Sequence, residues 1–311
     1  MIPQQPNAFH GIYAATLCPL LDDGRIDETT LARHLEANAF VPGMKGLLIN
    51  GHAGENFSLS REEKRRVTEI AFEVCGERSL LVCGINAEDS LEAQRHVDDA
   101  KAARADAVLV FPPFSWALSQ DARMAATHHR IANANARMPL MLYQAGVNAG
   151  ALGYRPEVLT ELAQMPHVVG VKEGSWEAAA YEANRRLLKR VAPHVAVMAS
   201  GDEHLLTCFA IGSEGSLVSL AAVVPELVIE LGRAMERGDL AEARRLNERI
   251  YPLAKAIYGT APGGYATARL KTCLKLLGRF PSDAMRPPIG PLPRDEVAAL
   301  ERALVEAGVH A

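Results

Sequence analysis

The sequence predicts an α/β protein, a closed (β/α)8 barrel of the TIM type with a C-terminal helical extension. Two patterns predict it. Short β-rich segments alternate strictly with longer segments of helical period, which argues for a parallel sheet with helical crossovers. A tally of about eight such units over about 220 residues fits a closed barrel better than an open sheet. After Val223 the strand-like segments stop and only helical patterns follow.

The expected strands are Gly11–Leu20, Gly46–Asn50, Leu80–Ile85, Ala107–Phe111, Pro139–Gln144, Val168–Glu173, Val195–Ser200 and Gly215–Leu220. They are β-branched, leucine-rich and short, as strands covered on both faces are. Helix starts are readable between them. Asp27-Glu28-Thr29-Thr30 opens one helix, and Ser60-Arg61-Glu62-Glu63 carries the serine and acid of a capping box. Glu88–Ala103 and Asp121–Ala136 follow the same pattern, as do Pro225–Glu236, Asp239–Tyr258, Gly264–Leu277 and Arg294–Ala307. We therefore expect a barrel over residues 1–237 and a helical subdomain over 238–311, without a low-complexity linker between them.

Bulk properties narrow the function. With 311 residues, 49% hydrophobic and 23% charged, the chain has the composition of a globular protein large enough for one substantial core. A net charge of −4 offers neither a nucleic-acid footprint nor a polybasic membrane anchor. No apolar run is long enough to span a bilayer, and residues 1–10 lack a basic, apolar leader, so a cytoplasmic protein is expected. The cysteines are five, scattered and without a C-x-x-C spacing, which fits buried free thiols rather than disulfides or a zinc site.

In such a barrel, chemistry sits at the carboxyl ends of the strands. One residue there is out of character. Val168-Val169-Gly170-Val171-Lys172-Glu173-Gly174 is a buried-strand pattern that ends in a lysine. Loss of hydration disfavours the ammonium, and a partly neutral amine attacks carbonyl carbon, the first step of Schiff-base chemistry. Taken alone, the segment also fits a lysine that snorkels past the strand end into water. Tyr143 ends the preceding strand, and a phenol beside an imine can move a proton, although a strand-end tyrosine facing water has the same pattern. In Asn50-Gly51-His52-Ala53-Gly54-Glu55 the glycines permit a turn whose converging N–H groups suit a carboxylate, or an ordinary βα turn. Asp202, in Ser200-Gly201-Asp202-Glu203-His204, reads as a helix N-cap. A metal site built from His52, Glu55 and the Asp202–His204 cluster lacks any ligand spacing to recommend it.

These segments together resemble the dihydrodipicolinate synthase/N-acetylneuraminate lyase superfamily, class I pyruvate-type aldolases and lyases. The resemblance runs from about Phe9 to the carboxyl end. It rests on Gly11…Pro19, on Gly51-His52-Ala53-Gly54-Glu55 against the family's G-[ST]-[ST]-G-E loop, and on Leu142-Tyr143…Gly150. Gly170-Val171-Lys172-Glu173 matches the lysine strand, and Ser200-Gly201-Asp202, Gly215-Ser216-Leu217-Val218-Ser219 and Leu276-Leu277-Gly278…Arg286-Pro287-Pro288 complete the set. The resemblance implies Lys172 as the Schiff-base lysine for a 2-oxo acid and Tyr143 as the proton carrier. It implies that the loop at Gly51 holds the substrate carboxylate through the His52 and Ala53 amides; Asn148, toward the distal half, and Ser219, at a strand end, are further candidates for substrate binding. It implies no metal or organic cofactor, and a homo-oligomer, dimer or tetramer.

Three positions depart from the lysine-synthesis members. His52 replaces a threonine hydroxyl, Phe114 replaces the tyrosine reaching in from a neighbouring subunit, and Asn148 replaces an arginine that grips the second substrate's carboxylate. Losing such a charge-assisted clamp removes about 1.5–3 kcal/mol of binding. The departures argue against dihydrodipicolinate synthesis. They favour retro-aldol release of pyruvate from a 4-hydroxy-2-oxo acid or sugar-acid derivative, with His52 as a replacement proton carrier titrating near neutrality. Dehydration or deamination of a 2-keto-3-deoxy acid, and a non-catalytic 2-oxo-acid-binding relative, remain alternatives.

Overall fold

The computed structural model describes residues 8–309; the outermost residues of the two expected spans, 1–7 and 310–311, lie outside it. Parallel strands β1 (Gly11–Ala15), β2 (Met44–Ile49), β3 (Leu80–Ile85), β4 (Ala107–Val110), β5 (Leu140–Gln144), β6 (Val168–Glu173), β7 (Ala196–Ala199) and β8 (Gly215–Val218) close into a barrel in sequence order. Around it run α1 (Glu28–Ala39), α2 (Arg61–Cys75), α3 (Ser90–Ala102), α4 (Ala122–Ala132), α5 (Pro156–Ala163), α6 (Ala178–Val191), α7 (Leu205–Ile211) and α8 (Pro225–Glu236). The extension consists of α9 (Leu240–Tyr258), α10 (Ala266–Leu276) and α11 (Arg294–Glu306). No helix among the described residues is long and apolar enough to cross a membrane.

Local chemistry sets the helix starts. Ser60 and Glu63 form a reciprocal capping box, and Asp27, Asp89, Asp121 and Asp239 each accept from backbone N–H groups of the turn they open. The first strand is shorter than the sequence pattern suggests. It ends at Ala15, and Leu20 instead makes an isolated antiparallel bridge with Ile26. Pro19 has no N–H to continue a ladder. Short 3-10 turns also lie at Phe114–Ala117 and Val147–Leu152, where loops were expected, and at Asp202–His204, where a helix start was.

Period-two alternation divides the side chains between two cores. Val82, Leu109, Met141, Met198, Leu48, Leu217 and Tyr13 fill the barrel interior, while Val171, Val197, Leu142 and Val110 face the helices. The interior is therefore a packed plug with no pore, as in barrels of this size. All five cysteines are buried and free.

The extension is tied to the barrel mouth by charge. Lys271 of α10 and Glu55 of the β2–α2 loop make an ion pair of 2.5 Å at 0% and 1% side-chain exposure, and Lys271 also donates to Ala284 O at 2.8 Å. Arg286 reaches Glu63 and the Gly24 and Ser58 carbonyls. Fully buried Arg269 links Glu296 of α11 to the Ile257 and Thr260 carbonyls at the end of α9. Removing one partner of a buried pair strands the other charge, so Lys271→Met should destabilise the fold by about 3–5 kcal/mol in urea unfolding. The double variant Glu55→Gln/Lys271→Met should recover much of that loss. A single-variant cost near zero would show that the pair is solvated in solution.

Candidate active site

The chain's turn into the β2–α2 loop is set by backbone rather than by the glycines' freedom of φ. Asn50 and Glu55 carry the positive φ values, 51° and 59°, on either side of Gly51–Gly54. Gly54 serves close approach instead, because a Cβ there would lie 3.2 Å from Thr16 O. Asn50 is held in its conformation by donating Nδ2 to Lys64 O at 2.8 Å and to Thr68 Oγ1 at 3.1 Å. Among the described residues, the His52 and Ala53 amides have no acceptor, which leaves donors available at this end of the barrel.

Lys172 is on the inner face of β6, in register with Tyr143 of β5 and Met198 of β7. Its neighbours in sequence face outward. Val171 packs under the helices, and the buried Glu173 carboxylate accepts from Ser175 N and Oγ and from Asn184 Nδ2 at 2.7 Å. The Lys172 side chain is 8% exposed, and its Nζ sits 5.7 Å from the centre of the Tyr143 ring. Burial pushes the ammonium down to about 8, against the opposing pull of the Asp202 carboxylate. Tyr143 is raised to about 12, chiefly by burial and further by Glu173 and Asp202, so its phenol is protonated at neutral pH. Gly174 keeps room for that ring: a Cβ there would lie 3.3–3.4 Å from Tyr143 Cε2 and Oη.

Asp202 corrects an expectation. It does not cap its own helix; its Oδ1 accepts from Leu220 N, 18 residues away, at 2.8 Å. A long-range amide competes successfully for a carboxylate that the local pattern assigns to the helix start. Burial raises the Asp202 carboxyl, while Leu220 N, Lys172 and the Tyr258 hydroxyl favour its charged form. Tyr258, the last residue of α9, bonds Ser219 Oγ at 2.8 Å and packs against Trp176 with ring centres 5.2 Å apart and planes tilted by 52°. Ser219, expected at the substrate, is thus engaged by the extension. Sequence reasoning missed Tyr258, because nothing near it in sequence marks a residue whose partners come from β7 and β8.

His52 departs from expectation in its charge. Its ring stacks on Phe111 at 4.2 Å, meets Tyr143 edge-on at 5.4 Å, and has Phe114 at 6.0 Å. Burial, and secondarily the Lys172 charge, hold the imidazole down at about 3, so it does not titrate near neutrality. Its Nε2 is buried and without a partner. Asn148 sits exposed in the Val147–Leu152 turn at the rim. Gly51 and Ala53 are buried. Glu55 is committed to Lys271, and no group of three or more His, Cys, Asp or Glu among the described residues is placed to hold a metal.

Known proteins share this architecture. A 4-hydroxy-tetrahydrodipicolinate synthase of Acidiphilium cryptum is 32% identical over 309 residues, covering 97% of this chain and 100% of the relative. One of Hyphomonas neptunium is 31% identical over 277 residues, covering 85% and 89%. Among solved structures, dihydrodipicolinate synthase from Agrobacterium tumefaciens superposes with a TM-score of 0.88 at 26% identity, over 97% and 99% of the two chains. A prophage protein of the dihydrodipicolinic acid synthase family from E. coli K12, in complex with pyruvate, gives 0.87 at 22% identity over the same shares. The relatives' names do not support the exclusion of dihydrodipicolinate synthesis, which rests on His52, Phe114 and Asn148 alone. With the dihydrodipicolinate synthetase family's own sequence model matching residues 8–307, the chain belongs to that family and is a lyase of the class I aldolase type.

Proposed function

We propose that Lys172 condenses with the C2 carbonyl of a 2-oxo acid and that the resulting iminium drives C–C bond cleavage or formation. The leading reaction is retro-aldol release of pyruvate from a 4-hydroxy-2-oxo acid. The C4 hydroxyl loses its proton, the C3–C4 bond breaks, and its electrons pass into the iminium to give an enamine. Protonation at C3 and hydrolysis then release pyruvate and the amine. The observation that carries this reading is an amine with depressed basicity, buried at the inner end of a strand beside a protonated phenol.

In this reading Tyr143 carries protons to and from the atoms next to the imine. The His52 and Ala53 amides, reached through Gly51, receive the substrate carboxylate. His52 contributes as an uncharged hydrogen-bonding ring, since its imidazolium is out of reach at neutral pH. Asn148 and Ser219 face the distal half of the substrate, where an uncharged amide stands in place of the arginine clamp and disfavours a partner that carries a second carboxylate. Residues 1–237 carry the imine, and 238–311 close the site through Tyr258 and Lys271. The same reading includes assembly into a homo-oligomer, dimer or tetramer; Phe114 and Leu118, 42% and 91% exposed, provide apolar surface for it.

Borohydride reduction in the presence of pyruvate should leave a covalent adduct on the peptide that contains Lys172, and Lys172→Ala should leave none. Absence of an adduct with pyruvate and several other 2-oxo acids would sink the proposal. A pyruvate-release assay over 4-hydroxy-2-oxo acids, run beside condensation of pyruvate with aldehydes that carry or lack a carboxylate, decides the direction and the partner. Tyr143→Phe should lower kcat by roughly 10²–10⁴-fold, the usual contribution of a positioned proton carrier. His52→Asn should leave the pH optimum of the reaction in place; a shift of the acid limb would show that the imidazole titrates in the working range after all.

A further inference from the structure

The β6–α6 connection holds one residue in a conformation that its side chain disfavours. Trp176 has a φ of 62°, in the left-handed region where glycine is at ease and a bulky side chain is a true outlier. The chain around it is bonded tightly enough to hold that strain. The buried Glu173 carboxylate accepts from Ser175 N at 3.2 Å and Oγ at 2.9 Å, and from Asn184 Nδ2 at 2.7 Å. Ser175 O in turn accepts from Val147 N at 3.1 Å, which ties this loop to the one that bears Asn148. Strain at a barrel mouth persists only where the surroundings over-determine it, as they do here.

The indole is central to the distal half of the site. Its loop leaves β6 at Gly174, where an added Cβ would lie 3.4 Å from Tyr143 Oη. Two residues on, the half-buried Trp176 touches both elements that carry the proposed distal contacts. On one side its Cδ1 is 3.5 Å from where a Cβ on Gly146 would stand, two residues before Asn148. On the other its ring centre is 5.2 Å from that of Tyr258, which bonds Ser219 Oγ at 2.8 Å. Residues 145–153 of the facing loop include no charged side chain, and Lys255, one turn before Tyr258 on α9, pairs with Glu203 at 3.4 Å. We propose that Trp176 decides which substrates the site accepts, as a flat wall against their distal group. The favoured 4-hydroxy-2-oxo acids then carry a planar, uncharged, apolar substituent on C4, of which phenyl is the simplest. The proposal rests on the imine reading given above and specifies the partner which that reading leaves open. An aromatic face gains from the tilted or offset contact of another ring, which a methyl or hydroxymethyl group cannot make. A hydroxylated tail would give up its water for an indole face that offers its hydroxyls no partner.

Borohydride trapping with 2-oxo acids that differ only at C4 reads this contact without requiring a C–C bond to break. 2-Oxo-4-phenylbutanoate, 2-oxopentanoate and 5-hydroxy-2-oxopentanoate place a phenyl, a methyl and a hydroxymethyl group there, and pyruvate lacks a C4 altogether. In the intact protein, half-maximal adduct on Lys172 should need roughly tenfold less of the phenyl acid than of the methyl or hydroxymethyl acid. Trp176→Gly relieves the positive φ, which offsets the packing it removes, and it should bring the three concentrations to within about threefold of one another. A residue that only packs against Tyr258 would, when replaced, weaken all three acids together and leave their ratios as they were. That result would overturn the assignment, and so would a wild type with no preference for the phenyl acid. Absence of an adduct with pyruvate or any of the other acids in the wild type defeats the imine reading instead.

Discussion

An amine kept out of water at the end of β6 is the constraint around which the rest of the site is arranged. The alternation of β6 puts Val171 under the helices and Lys172 into the barrel, level with Met198 and above the packed layer that holds Met141 and Leu109. Burial lowers the basicity of the amine, so more of it is uncharged at neutral pH than of a lysine in water. Burial alone would push further, and Asp202 opposes it. The site therefore sets desolvation, which disfavours the ammonium, against a carboxylate, which favours it.

That balance depends on parts of the chain far apart in sequence. Three threads run from the extension to the mouth: Lys271 to Glu55, Arg286 to Glu63 and the Ser58 carbonyl, and Tyr258 to Ser219. The first two hold the loop that bears the His52 and Ala53 amides, and the third holds the residue that follows β8. Without the extension Glu55 would be left without its partner and Ser219 without its bond to Tyr258. The extension is thus part of the site rather than an accessory packed on its outside.

What was legible in the sequence is what short-range physics decides. The Ser60 capping box, the limits of β3 and β6 and the helix Pro225–Glu236 follow from patterns a few residues wide, and the structure has them at those positions. The inward face of Lys172 follows from strand period alone. Errors arose where a distant partner overrides the local pattern. Asp202 looks like a helix cap until Leu220 N takes its carboxylate, and Tyr258 carries no mark of its partners at all. His52 looks like a neutral-pH proton carrier until packing against Phe111, Phe114 and Tyr143 removes its hydration. Charge states belong to the packed interior, and the pattern of residues along the chain does not encode them directly.

The neutrality of His52 has a consequence for how an anionic substrate is received. His52 and Lys172 each lose hydration at the mouth, and the Lys172 charge further disfavours an imidazolium. A second cation there would make the ammonium costlier still and would draw the substrate carboxylate toward the ring. With the imidazole uncharged, the available donors near Gly51 are backbone amides, which are fixed dipoles and add no net charge. On the proposed reading, the carboxylate of a 2-oxo acid would then lie to one side while its carbonyl carbon stays open to Lys172. An uncharged ring at this position adds no ionic competitor for such a substrate, and the phenol nearest the amine is Tyr143, whose ring centre is 5.7 Å from Lys172 Nζ.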